Sequence, residues 1–255
     1  MRKYYFCCAL MLGLLLSSFI FHNHASAKEL HLFAGAGLRQ PVDQLVQEFE
    51  KETGNKILTD FGGSGQLMTK IQTTSKGDLF IPGALFYLEK LEKAGIVQSY
   101  SPIAAHTPVI GVNIKQSRKV TSFDDLAKPG VRLAMGDPKA MALGKTAMSI
   151  CEKSGQKAAI LKNVTVYGAT VKQLSMYVSQ GVVDASIIGR ADAFQNRDKI
   201  AMVSIPEAYF QSETIAVAIL KHAQDSKEAK AFAEYMSSTH AVEVFKAYGF
   251  LPLEK

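Results

Sequence analysis

Four short stretches carry the residues best suited to chemistry: Gly35-Ala36-Gly37-Leu38, Gly62-Gly63-Ser64-Gly65, the segment from Gly136 to Gly144, and Ala169-Thr170-Val171. Each lies where an apolar, strand-like run gives way to a helix-like one. The first turn of a helix holds N–H groups with no intrahelical partner and carries the positive end of the helix dipole. Glycine lets such backbone come close to a ligand, and Ser64 adds a hydroxyl donor. An array of this kind suits an anion.

Catalytic patterns fail on spacing. In Gly62-Gly63-Ser64-Gly65-Gln66, residue 66 is Gln where a nucleophile elbow needs glycine. Gly144-Lys145-Thr146 ends like a phosphate-binding loop, but residue 139 is Lys where the leading glycine belongs. His31, His106, His222 and His240 show no metal-ligand spacing and read as surface or strand-edge residues. Asp78, Asp137, Asp184 and Asp192 fall at strand and helix ends, where Asp is a common cap. A binder is expected, not an enzyme, with no cofactor.

The elements that must position these loops alternate in type. Leu30 to Ala34 reads as a strand, and Pro41, Val42, Leu45, Val46 and Phe49 as a helix that stops at Gly54. Lys56 to Phe61 is a second strand, followed by a helix with Leu67, Met68 and Ile71. Asp78 to Ile81 is a third, followed by a helix from about Ala84 to Ala94. The pattern restarts with strands at Pro108 to Asn113, Val131 to Met135, Val164 to Tyr167 and Ala185 to Ile188. Between them lie a short helix from Ser122, one from about Gly144, and one holding Val171, Leu174, Ser175 and Val178. A strand at Glu213 to Leu220 precedes two closing helices. Runs of βαβ units predict mostly parallel sheets wrapped by helices, here in two lobes with a cleft between them.

Composition narrows the partners. The 255 residues are 47% apolar and 20% charged, which excludes a disordered chain. Arg2 and Lys3 precede an apolar run, Tyr4 to Phe21, and Ala25 and Ala27 stand at cleavage-site spacing, so residues 1–27 read as a secretory signal peptide. Without them the chain keeps 27 basic and 23 acidic residues, a net +4 in mixed order that does not support nucleic-acid binding. One cysteine, Cys151, then remains, and it reads as a small buried hydrophobe.

At these same loops the chain resembles the periplasmic molybdate-binding proteins of ABC importers, through "LFAGAGLRQPVDQLVQEFEKETG", "FGGSGQLMTKI", "GDLFIPGALFYLEKLEKAGIV", "VRLAMGDPKAMALG" and "AVEVFKAYGF". The resemblance implies the type II periplasmic binding protein fold, two α/β lobes joined by hinge strands with the ligand in the cleft. Lobe 1 is expected at 28–107 plus 216–255, and lobe 2 at 108–215. The implied role is capture of an oxyanion, molybdate or tungstate first, by an exported monomer that serves a membrane permease. A different or larger anion is the alternative, and an enzyme on the same fold a remoter one.

The resemblance also implies site residues. The family's first-loop serine falls on Gly37, its second on Ser64, and its third- and fourth-loop amides on Leu143 and Val171. Its ligand-contacting tyrosine falls on Gly189. Two side-chain donors are therefore missing; Arg39 and Arg190 lie beside the lost positions, where either could supply positive charge or face solvent, and a larger anion could instead fill the space the tyrosine vacates.

Overall fold

In the computed structural model, which describes residues 29–253, period-two alternation builds two five-stranded sheets. The expected signal peptide, with Cys7 and Cys8, lies outside the described residues. Strands Glu29–Gly35 (β1), Lys56–Gly62 (β2), Leu79–Ile81 (β3), Val97–His106 (β4) and, from late in the chain, Glu213–Leu220 (β10) form the first sheet, in the order β2-β1-β3-β10-β4. Pro108–Asn113 (β5), Leu133–Gly136 (β6), Val164–Gly168 (β7), Ala185–Gly189 (β8) and Ile200–Val203 (β9) form the second, in the order β7-β6-β8-β5-β9.

Helices Arg39–Thr53 (α1), Ser64–Thr74 (α2), Phe86–Lys93 (α3), Lys227–Met236 (α8) and Thr239–Ala247 (α9) cover the first sheet. Ala142–Lys153 (α4), Lys157–Lys162 (α5), Val171–Ser179 (α6) and Arg190–Gln195 (α7) belong with the second. Along β1, Leu30, Leu32 and Ala34 pack with Phe49, Phe232 and Phe245 of α1, α8 and α9. Phe33 faces the other way, onto Leu67, Ile71, Leu88 and Leu91 of α2 and α3. Beneath the second sheet, Leu133 and Met135 meet Ile150 and Ile160, while Ala134 and Ile188 meet Leu174 and Val178. Each such side chain removed from water is worth about 1.5–3 kcal/mol, so the central strands of both sheets are held from both faces.

The sheets are mixed rather than mostly parallel. β1 is parallel to β2 and β3, and β6 to β7 and β8, but β10 runs against β3 and β4, and β5 against β8 and β9. In each sheet the opposed strand is the one that enters directly from the other sheet. The chain crosses at Thr107, between β4 and β5, and again through 204–212, between β9 and β10. At the crossings His106 is paired with Glu213, and the Thr107 and Ser212 hydroxyls are 2.9 Å apart. β10 lies wholly in the first sheet, so the sequence boundary at 215/216 cuts a strand.

The sequence reading assigns no strand between the helix near Ala94 and Pro108, yet β4 is ten residues long. Pro102 reads as a breaker because it cannot donate to a ladder. It is tolerated here because β4 is the sheet edge and its partner strand shifts register next to Ala216, the residue opposite. Cys151 is fully buried, and burial pushes its thiol up to about 11.

Candidate functional site

The ends of β1, β2, β6 and β7 lead into α1, α2, α4 and α6, and these four helices start around one small cavity of about 30 Å³ between the lobes. Gly37, Ser64, Leu143 and Val171, one residue from each junction, all line it. The helix expected from about Gly144 begins two residues earlier, at Ala142, which puts Leu143 in the first turn. None of the four helices has an acidic residue in its first turn. Helix starts normally favour acidic residues because they offset the dipole. Here the helices' own first turns offer no acid to offset the positive ends beside the cavity, which β1 reaches through the 3-10 turn Ala36–Leu38 ahead of α1.

Local bonds fix the donors. Gly63 caps α2 in an extended conformation, φ −66° and ψ 133°, which sends the chain off β2 into the helix. The Ser64 hydroxyl, 4% exposed, accepts the Gly83 N–H at 3.0 Å. One of its two lone pairs is thus used, and its O–H remains to donate. At the fourth junction Thr170 Oγ1 accepts from Gln173 N at 3.3 Å, while Gln173 Oε1 accepts from Ala169 N at 2.7 Å and Thr170 N at 3.3 Å. That reciprocal cap occupies the loop amides and leaves Val171 as the first with no cap partner.

The lobes touch beside the cavity. Gly65 N–H donates to Ala140 O at 3.1 Å. A Cβ on Gly63 would stand 2.5 Å from Ala140 O and 2.7 Å from Ala169 O, and one on Gly37 would stand 2.5 Å from Val171 Cγ1. The hydroxyl missing at Gly37 therefore belongs to a position where this seam leaves no room for a side chain. A larger cavity of about 320 Å³, lined by Phe86, Tyr87, Lys145, Tyr209 and Phe210, adjoins across Ala142.

Two expectations need correction. The space beside Gly189 is filled, not open: a Cβ there would be 2.4 Å from His106 Nε2 and 3.0 Å from Asp192 Oδ2. Neither arginine lines the cavity. Arg39 lies over the Phe61 ring at 4.0 Å and near Asp43 Oδ2 at 3.9 Å, half exposed. Arg190 donates through its guanidinium to Gly249 O, and its N–H to Thr107 O at 2.8 Å, so it ties α7 to the chain end and the crossing.

His106 is the residue that sequence reasoning missed. It lines the cavity and is only 7% exposed, unlike His31, His222 and His240, which lie against Asp60, Asp78 and Glu48 near the surface. Its Nδ1 donates to Gly83 O at 3.2 Å, and its Nε2 is buried without a partner. Asp192, read from sequence as a cap, is fully buried with neither carboxylate oxygen hydrogen-bonded. The Lys172 ammonium is 3.0 Å from its Oδ1 but aligned on Gln195 Oε1 at 3.2 Å, an ion pair without hydrogen-bond alignment. Burial raises the Asp192 carboxyl above its ordinary value, against the pull of Lys172 and His106. A strand ending in histidine just before a crossing was the available signal, had β4 been assigned.

Among the described residues no group of three or more His, Cys, Asp or Glu side chains could hold a metal ion. Amide and hydroxyl donors gathered at the cavity suit an anion. Residues 30–251 match the family described as bacterial extracellular solute-binding protein. A binding protein of Haemophilus influenzae is 38% identical over 226 residues, which span 89% of this chain and 92% of that one. The molybdate-binding protein of Azotobacter vinelandii is 27% identical over 89% of this chain and 91% of its own. The solved sulfate-binding protein of Mycobacterium tuberculosis shares the fold, with a TM-score of 0.79 at 16% identity over 89% of this chain and 88% of that one.

Proposed function

This chain belongs to the bacterial extracellular solute-binding proteins, and from that premise we propose that it captures a small oxyanion, molybdate or tungstate first, and delivers it to the permease of an ABC importer. The observation that carries the reading is the meeting of four helix starts, all without first-turn acids, with the Ser64 hydroxyl at one small cavity. Each hydrogen bond to a charged group is worth roughly 1.5–3 kcal/mol and each helix end about 0.3–1 kcal/mol, so aligned amides supply most of the affinity. A cavity of about 30 Å³ favours a single inorganic anion, since pockets for organic ligands run to roughly 300–1,000 Å³. The 27% identity to a molybdate-binding protein supports molybdate within that class.

A second reading, a larger organic anion with its acid group in the small cavity, is supported by the adjoining cavity of about 320 Å³ and its Lys145 and Lys153. Calorimetry and thermal shift against molybdate, tungstate, sulfate, phosphate and organic phosphates separate the two. An anion at about 100 times its Kd should stabilise by roughly 2.7 kcal/mol, a rise of about 5–10 °C for a chain this long. No response to any anion, with stabilisation by a divalent cation, overturns the proposal, and turnover of simple esters or phosphoesters would point to an enzyme instead.

A further inference from the structure

We infer that His106 and Asp192 together form a ligand-linked proton site, so that capture of a fully deprotonated oxyanion takes up one proton at this pair. The inference rests on the anion reading above and adds a determinant to the same site.

Asp192 lies directly behind the first loop: its Oδ2 would be 3.4 Å from a Cβ on Gly37, a residue that lines the anion cavity. A buried carboxylate there, without hydrogen bonds to spread its charge, repels any anion that enters. The Lys172 ammonium at 3.0 Å offsets one negative charge from the α6 side. From the first lobe the group facing Asp192 is His106, whose Nε2 and the Asp192 Oδ2 approach the same point beside Gly189, at 2.4 and 3.0 Å.

The tautomer follows from Gly83. A carbonyl can only accept, so Nδ1 bears a hydrogen, and a neutral His106 turns an unshared lone pair toward a carboxylate. Two buried acceptors, neither of them hydrogen-bonded, then approach the same point beside Gly189 without a proton between them. With Lys172 paired to Asp192 the cluster is neutral overall, so one added proton, on either group, makes it net positive and favours the incoming anion. The other charged group near the imidazole is Glu213, its cross-strand partner on β10, whose Oε1 accepts from Thr146 at 3.4 Å. Burial raises the Glu213 carboxyl, against the pull of His106. The remaining neighbours are uncharged: Ser64 and Gly83 beside the ring, and the Phe250 ring at 6.0 Å.

The test is isothermal calorimetry of molybdate binding between about pH 6 and about pH 8.5, the range where histidine chemistry operates, in buffers of different ionisation enthalpy. The buffer dependence should report uptake approaching one proton per anion, with affinity falling up to tenfold per pH unit at the alkaline end. Asp192→Asn should keep tight binding at the alkaline end and flatten the profile. His106→Gln should also flatten it, at the weak alkaline affinity. His240→Gln, a surface histidine, should leave uptake unchanged. Molybdate binding without buffer-dependent heat, together with parallel profiles in both site variants, overturns the proton site alone. Absence of binding by every oxyanion at every pH overturns the anion reading and this inference with it.

Discussion

Gly189→Ala puts the packing around His106 to a direct test. The backbone at Gly189, φ −68° and ψ 140°, is ordinary for any residue, so alanine brings no conformational strain. Its Cβ would stand 2.4 Å from His106 Nε2, 3.2 Å from Cδ2 and 3.0 Å from Asp192 Oδ2. Relief needs a movement of about 1 Å, because ordinary carbon contacts begin near 3.5 Å. The ring cannot swing freely, since Nδ1 is held on Gly83 O at 3.2 Å and the side chain is buried. Overpacking costs about 1–3 kcal/mol, and loss of the Gly83 bond about 0.5–1.5 kcal/mol. The lower entropy of the unfolded alanine chain returns about 0.4–1 kcal/mol. The net loss is about 1–3 kcal/mol. In a His106→Ala background only the 3.0 Å approach to Asp192 Oδ2 remains, and the same substitution should cost much less. Urea unfolding of the four proteins gives the coupling energy. A Gly189→Ala midpoint equal to wild type, with no coupling to His106, would refute the argument.

Ser64→Ala removes a ligand donor and also strands the buried Gly83 N–H; anion binding should weaken by about 1.5–3 kcal/mol and the ligand-free protein should lose about 1–3 kcal/mol. Calorimetry showing unchanged affinity would remove Ser64 from the site. Gly65→Ala sets a Cβ 2.7 Å from Lys139 O and 3.1 Å from Ala140 O, across the seam. Backbone there cannot yield, so the seam should be forced apart, at a cost of about 1–3 kcal/mol in ligand-free stability and at least about tenfold in affinity; unchanged affinity by calorimetry would count against it. Asp184 is 1% exposed, and although burial raises its carboxyl, bonds from Arg132 and Lys119 hold it at about 2. A depressed folded value gives stability that is present above about pH 4 and lost as pH falls toward 2. Asp184→Asn should therefore cost about 2–3 kcal/mol at neutral pH, with the gap to wild type closing between about pH 4 and pH 2; a constant gap in acid unfolding would contradict the ion-pair account.

Much of the fold was legible because local pattern and tertiary burial agree. The stripe Val42, Leu45, Val46 and Phe49 is buried in α1, and the left-handed Gly54 ends that helix at φ 74°. Val171, Leu174, Ser175 and Val178 form the buried face of α6, and all five residues of β8 are buried. Legibility failed where stability comes from partners distant in sequence. Residues 98–101 of β4 are polar or half-exposed and Pro102 follows them, and only the strand's eight-residue pairing with β10, from far along the chain, makes it a strand. The short α7 likewise owes its place to the bonds of Arg190 and Gln195 to Gly249 O and Tyr248 O.

The same split runs through the candidate site. Local turn chemistry marked the four junctions, and the fold brings them to one cavity. What it did not mark is the reason for their glycines. The described glycines with positive φ are 54, 77, 95, 130, 155, 181 and 249, none of them at these junctions. Gly37, Gly63 and Gly65 are small because the opposite lobe lies within 2.5 to 2.7 Å of where a Cβ would be. Gly189 is small because His106 occupies that volume. A glycine needed for its backbone angle can be recognised beside its own helix stop. A glycine needed for its missing volume cannot, since the atom that excludes the Cβ comes from another element. Aligning residue 189 with a lost tyrosine therefore suggested empty space, when the missing side chain and the buried histidine are two sides of one packing solution.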